Sequence, residues 1–429
     1  MNKARMVSLI LALMMLVTMA GAGMAGEYFT EPESPVTLTM WTFAETHAVY
    51  FRWATEEYTK LHPNVNFNVE VMQHDALNDR LSIVFNAGGE GSPDIVEIEQ
   101  GMWPRYMNEG MMHFVPLNDY MTRDGQDGRM VEARLSLYNY NGNNYGLEQA
   151  LCPVTMGYRP DMFEQLGLEP PTTWEEYKDT AYKLKDAGIY IAAMNDFHNG
   201  QPNDTHIWLR AANADIVGPD GNIQITNEWK MLISDLVQLQ KDGCIFPSET
   251  GEDTWLEIRE NRVATYIMAD WAAGWLRDNV PEQEGLWRVT YLPKLNENAS
   301  RASVNGGTGN IMVEFAPNDR ELIWDFMKFS MLDTENVVKK YEVVSLYPPV
   351  YDAMAPANTP VAYYGGQNLG ELWQELAPET PIQPQASWRR YYGEVIGTFM
   401  YDFYEGNITI DEMADSVIAE VNDRIANED

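Results

Sequence analysis

Between residues 36 and 98 the hydrophobic pattern switches back and forth between a period of two and a period near 3.6. Val36-Thr37-Leu38-Thr39-Met40 alternates as a strand, and Phe51, Ala54, Tyr58 and Leu61 mark one face of a helix. Val65, Phe67, Val69 and Val71 alternate again. Leu77, Leu81, Val84 and Phe85 make a second helix, with Asp75 its expected N-cap and Gly88-Gly89 its end. Ile95-Val96-Glu97-Ile98 is the third strand. Strands separated by helices of this length pair in parallel. A parallel sheet flanked by helices places its ligand crevice outside the carboxyl ends of the strands. Two loops therefore become candidate cleft walls: Trp41 to His47, with Phe43 and Glu45, and Glu99-Gln100 to Trp103. Each candidate also has a plain structural role open to it, as core for Trp41 and as a helix cap for Glu99 and Gln100.

A chain of 429 residues, 45% hydrophobic, is too long for one core and long enough for two of roughly 150–200 residues. Its 64 acidic against 29 basic residues give a net charge of −35, which repels nucleic acid and anionic lipid. The 13 Trp and 23 Tyr mostly pack in cores, yet flat apolar sugar faces also stack on such rings. Lys3 and Arg5 precede an apolar run, Val7 to Met19, too short to span a membrane, and small residues follow. Residues 1–25 thus read as a secretory signal. With no cysteine near the cleavage point, a free mature chain in a periplasm or outside the cell is expected. Cys152 and Cys244 are open between a disulfide and two buried thiols. Nothing resembles a metal-ligand cluster, and no cofactor is implied.

The middle of the chain carries the most specific pattern. Asn141-Gly142 suits a two-residue hairpin turn, because both positions need positive φ. An extended run, Val154 to Tyr158, ends at Arg159-Pro160. Thr173 with Glu176 reads as a capping box opening a helix along Trp174, Tyr177, Ala181 and Leu184, closed by Gly188. The order YNG-x-x-YGL, then GYRPDMFEQLGLEPPTTWEEY, resembles the lobe-crossing region of the extracellular solute-binding proteins of bacterial ABC transporters, and most of all family 1, with its maltose- and oligosaccharide-binding members. Further pieces resemble that family in the right order over residues 36–429: Trp208 to Asp215, Arg262 to Trp271, Ser303 to Asn310, the W-x-F-x-K-F run from Trp324, and Ser345 to Tyr351. One departure is Glu148, which stands where the family usually has proline.

The resemblance implies a two-lobed α/β fold of the type II, maltose-binding-like kind, each lobe a mainly parallel sheet flanked by helices. It places 36–150 with 304–343 in an N-terminal lobe and 153–301 with 346–429 in a C-terminal lobe. Hinge crossings fall near 148–153, 301–305 and 343–347. The candidate sugar-binding residues it implies, with the strand-end loops, are Trp41, Phe43, Glu45, His47, Asp75, Glu99, Gln100, Trp103, Glu148, Trp208, Asp270, Trp271, Gly306, Gly307, Tyr347, Tyr351 and Trp388. Trp271, at a strand end, is the expected stacking platform; Trp275 is balanced between stacking and core. The expected ligand is a neutral oligosaccharide, delivered by a monomer to a membrane permease. Catalysis is not expected, for G-x-S-x-G, H-E-x-x-H and Cys-His arrangements are missing. A secreted glycoside hydrolase and a polyamine-type binder are the alternatives.

Overall fold

The structure, a computed structural model, describes residues 29–198, 205–249 and 251–427. The secretory signal expected over residues 1–25 lies outside them. The first strands form as their alternation demands, at Val36–Thr42, Val65–Val71 and Ile95–Glu99, all parallel. The helices between them, Glu45–Leu61 and His74–Asn86, bury their apolar stripes. The N-cap position of the second is Gln73, whose side chain makes no capping bond, and the expected cap, Asp75, sits exposed in the first turn.

Two further strands complete this sheet, in the order Val65–Val71, Val36–Thr42, Ile95–Glu99, Thr308–Met312, Gly146–Glu148. Thr308–Met312 alone runs against its neighbours. The reason is the route of the chain. Strands whose carboxyl ends face the cleft run toward it, whereas a chain arriving through the hinge starts at the cleft and runs away from it. The second lobe repeats the device. Thr155–Tyr158, the first strand after a crossing, pairs antiparallel with Thr265–Met268 on one side and Arg288–Thr290 on the other. Ala192–Asn195 and Ile245–Ser248 pair in parallel, and Thr265 N–H bonds to Ile191 O to join them to the rest. A hydrophobic pattern cannot reveal these reversed strands, because both directions alternate alike.

Each sheet is covered on both faces. In the first lobe Tyr50, Phe51, Tyr58, Trp324 and Phe326 fill one side, and Trp41, Leu81, Phe85, Trp103 and Tyr138 the other. In the second, Trp174, Trp208, Trp229 and Val417 oppose Leu276, Trp287, Tyr347 and Trp373. The Asn141-Gly142 turn has both φ values positive, 49° and 80°, between paired Asn139–Tyr140 and Asn143–Asn144. Thr409 and Glu412 form the full reciprocal capping box. At Thr173 only half of one forms: its hydroxyl accepts from Glu176 N–H, but the Glu176 carboxylate turns to Thr172.

Three passages of chain lie side by side at the junction of the two sheets. Pro153 bridges to Val304, Gln149 N–H donates to Thr308 O, and Leu151 N–H donates to Tyr347 O. Ala150, Cys152 and Leu346 pack together at this junction. Cys152 and Cys244 are both unpaired and buried, so the disulfide does not form. Cys152 stands at φ 52° in the first passage, a left-handed conformation that a non-glycine residue adopts only where its surroundings impose it.

Candidate functional site between the lobes

Strand register builds the first wall. Thr308 pairs with Glu99 and Gly309 with Glu148, so the reversed strand carries a carboxylate on either side at the cleft edge. Glu148 is buried with Arg134, its Oε2 3.1 Å from the guanidinium. Its Oε1 accepts from Gln149 N–H at 2.9 Å and Thr308 N–H at 2.7 Å, which links the first passage to the second. Arg134 donates to Ala150 O and Gly306 O, clasping the same two passages. Burial raises the Glu148 carboxyl pKa, and Arg134 and the backbone donors oppose the rise. Proline, with no side-chain acceptor, could make none of these contacts. Gly307, at φ 150°, lies flat against this pair: a Cβ there would fall 2.7 Å from Glu148 Oε2 and on Arg134. Gly306, at φ 82°, leaves the Trp271 indole nitrogen room where a Cβ would come within 3.2 Å.

Two cavities open on either side of Glu99 and Gly306, which line both. The hinge cavity, about 380 Å³, lies between Phe43 to Val49 of the first lobe and the start of helix Asp270–Asn279 of the second, where Trp271 and Trp275 meet edge to face at 4.8 Å. His47 turns its Nδ1 to the buried Glu97 at 3.0 Å, leaving the rest of the ring on the cavity wall. The arginine cavity, about 290 Å³, lies between Glu99 to Gly101 and two helices of the second lobe, Thr205–Ala211 and Arg389–Glu405. Asp215 is gripped there by Arg389 at 2.8 Å and Arg210 at 3.3 Å. Burial alone would raise the Asp215 carboxyl pKa; the two guanidinium groups overcome it and bring it to about 2. His206 bonds Asn305 at 3.0 Å, and burial with the Arg210 charge lowers it to about 3, so it is neutral at ordinary pH. Gln100 is 6% exposed and lines this cavity with its side-chain oxygen unbonded among the described residues. A buried acceptor in that condition favours a ligand that brings a donor.

Of the seventeen residues expected from the sequence, eight line these cavities: Phe43, His47, Glu99, Gln100, Glu148, Trp271, Gly306 and Gly307. The other nine do not. Trp41 is 1% exposed in the core on one face of the sheet, with the Arg80 guanidinium 4.1 Å over its ring. Trp103 packs beside it in the same core, and Trp208 is buried against Trp174. Trp388 is buried and donates to Gly221 O. Glu45 pairs with Arg52 on the surface, Asp75 with His74, and Tyr351 is exposed at a helix start away from both cavities. Tyr347 is wholly buried, with its hydroxyl on Gly370 O. Asp270 is also wholly buried. Its carboxylate accepts from Trp271 N–H at 2.8 Å and Tyr347 N–H at 2.7 Å, so it holds the third passage instead of a sugar hydroxyl. Arg210, Asp215, Asn305, Arg389 and Tyr392 were not expected, although Trp388-Arg389-Arg390-Tyr391-Tyr392 and Trp208 to Asp215 mark the right segments.

Two helix-covered sheets with polar and aromatic cavities between them are the architecture of a solute-binding protein. The chain belongs to the family of bacterial extracellular solute-binding proteins, whose model matches residues 53–363. It is 24% identical over 359 residues to an arabinooligosaccharide-binding protein of Bacillus subtilis, covering 80% of each chain. It is 25% identical over 356 residues to a lactose-binding protein of Rhizobium radiobacter, covering 79% of this chain and 81% of that one. Its fold matches the galacto-N-biose-/lacto-N-biose I-binding protein of a Bifidobacterium longum ABC transporter with a TM-score of 0.75 at 16% identity, over 93% of this chain and 98% of that one.

Proposed function

We propose that this chain is the substrate-binding protein of an ABC importer, capturing a neutral oligosaccharide between its lobes and passing it to a membrane permease. The observation that carries the proposal is the make-up of the arginine cavity. Glu99 and Gln100 of the first lobe face Arg210, Arg389 and Asp215 of the second, and two arginines balance two carboxylates. A ligand there touches both lobes, and only a ligand with differential contacts favours the closed state. At the hinge cavity Glu148 is paired with Arg134 and Asp278 with Arg277, so these charges are matched within the protein and a neutral ligand suits them. Trp271 and Trp275 offer ring surface to sugar faces. The relatives named for arabinooligosaccharides and lactose agree with this class of ligand.

Closure turns on the crossings near 148–153, 301–305 and 343–347, with residues 36–150 and 304–343 moving against 153–301 and 346–429. The protein works as a monomer in a periplasm or outside the cell and does no chemistry on the sugar. A thermal-shift panel of arabinooligosaccharides, lactose and spermidine tests this. A ligand that binds only the native state raises the melting temperature. Stabilisation by a sugar and none by spermidine is expected. Stabilisation by spermidine alone, or release of reducing ends from the sugars, would overturn the proposal.

A further inference from the structure

Three buried polar side chains at the hinge cavity form a network of which only the Glu97–His47 contact has been described. Glu97, in the middle of a central strand, is 0% exposed, Gln149 is 2% and Lys340 is 0%. They form a chain that ends at His47. Lys340 Nζ bonds Gln149 Oε1 at 3.2 Å. Gln149 Nε2 bonds one oxygen of Glu97, and Thr42 Oγ1 and His47 Nδ1 bond the other.

Donor and acceptor roles along this chain are fixed by its two charged members, Lys340 at one end and the Glu97 carboxylate beside His47. An ammonium group has donors only. Lys340 therefore requires the carbonyl oxygen of Gln149, which turns the Gln149 NH2 toward Glu97. The Glu97 carboxylate accepts at each contact, so the Nδ1 facing it carries the hydrogen. In the neutral ring Nε2 is then an acceptor. Nε2 has no partner within the protein among the described residues, and His47 lines the hinge cavity beside Phe43.

We propose that Glu97 is a positioning residue for ligand recognition, holding His47 so that Nε2 accepts a hydrogen bond from a ligand hydroxyl. The hydroxyl rests on the sugar reading above; the imidazole tautomer does not. Gln149 belongs to the first passage and Lys340 to helix Thr334–Val344, which leads into the third. The same chain therefore ties the His47 wall to the hinge.

Nitrogen-15 NMR of the histidine rings tests this without any ligand, with His47 assigned by its loss in His47→Gln. At a pH where the ring is neutral, the wild type is expected as the Nδ1–H tautomer, and a doubly protonated ring at the pH of sugar binding would overturn the proposal. Glu97→Gln is expected to give a mixed or Nε2–H ring, whereas Lys340→Met leaves the carboxylate in place and should keep Nδ1–H. A wild-type Nε2–H ring would overturn the proposal, as would an Nδ1–H ring unchanged in Glu97→Gln. Calorimetry with arabinooligosaccharides supplies the second arm. Glu97→Gln should weaken binding by roughly tenfold, the range seen when partners that orient a ligating histidine are removed. Unchanged affinity beside an altered tautomer would refute a role in recognition. If no sugar binds even the wild type, the sugar reading fails while the tautomer result stands.

Discussion

The two cavities meet at Glu99 and Gly306 but are built on opposite plans. In the arginine cavity the charged groups grip one another: Arg389 and Arg210 close on Asp215. In the hinge cavity the second lobe offers rings, and Trp275 is left 50% exposed. The first plan stores its binding groups in a fixed array, so little is spent on ordering them when a ligand arrives. The second leaves apolar surface whose burial rewards closure. The difference extends to two buried aspartates. Asp215 has two guanidinium partners and is held down at about 2. Asp270, near the hinge cavity, has backbone donors but no guanidinium in direct contact, and burial pushes it up to about 7.

The largest effect should come from breaking the array. Asp215→Ala leaves two guanidinium groups without their shared carboxylate, and removing one partner of a buried ion pair costs ~3–5 kcal/mol. At about 2–4 °C per kcal/mol for a domain of this size, the melting temperature should fall by roughly 10 °C. A fall under 2 °C would mean that the array is not what orders this end of the cleft. Next comes Trp271. Its indole N–H donates to Asn305 O at 3.0 Å, and the ring packs against the hinge cluster as well as both faces of the second lobe. Trp271→Ala should weaken sugar binding by roughly thirtyfold, the loss typical of an aromatic anchor of about 2 kcal/mol. It should also lower the melting temperature, unlike a ring that only faces ligand. Trp275→Ala separates the two roles. Calorimetry should find affinity down about fivefold to tenfold, near 1 kcal/mol, with the melting temperature unchanged.

Reading the site from sequence located segments better than side chains. The segments 41–47 and 99–103, picked out by the strand-end rule, both contribute cavity-lining residues. Of the candidates named in each, Phe43, His47, Glu99 and Gln100 line the cavities, and Trp41 and Trp103 go to the core. His206 and Arg210 replace Trp208, and Arg389 and Tyr392 replace Trp388, in the same way. An indole has the most apolar area to gain from burial, so where a segment offers a core side and a cleft side it goes to the core. Trp271 escapes because the second passage gives its N–H a partner at the cleft edge. The Arg389–Asp215 contact spans 174 residues, and no local pattern announces it.

The smallest effect is on pH dependence. Asp270 has a folded value of about 7 against an ordinary 3.8, so the folded state holds the proton more tightly. Its contribution to stability is full below pH ~4 and is lost as pH rises through 7. Asp215 is the reverse: its contribution is present above pH ~4 and is lost as pH falls toward 2. Melting curves between pH 5 and 8 should therefore drop with rising pH more steeply in the wild type than in Asp270→Asn. Parallel profiles would show that Asp270 does not titrate there.

The central claim is that one neutral oligosaccharide is gripped by both cavity plans at once and so closes the lobes. Small-angle scattering with and without saturating arabinooligosaccharide measures this directly. The account predicts a smaller radius of gyration with sugar and the unliganded radius with spermidine. A radius unchanged by every sugar that calorimetry shows to bind would contradict it.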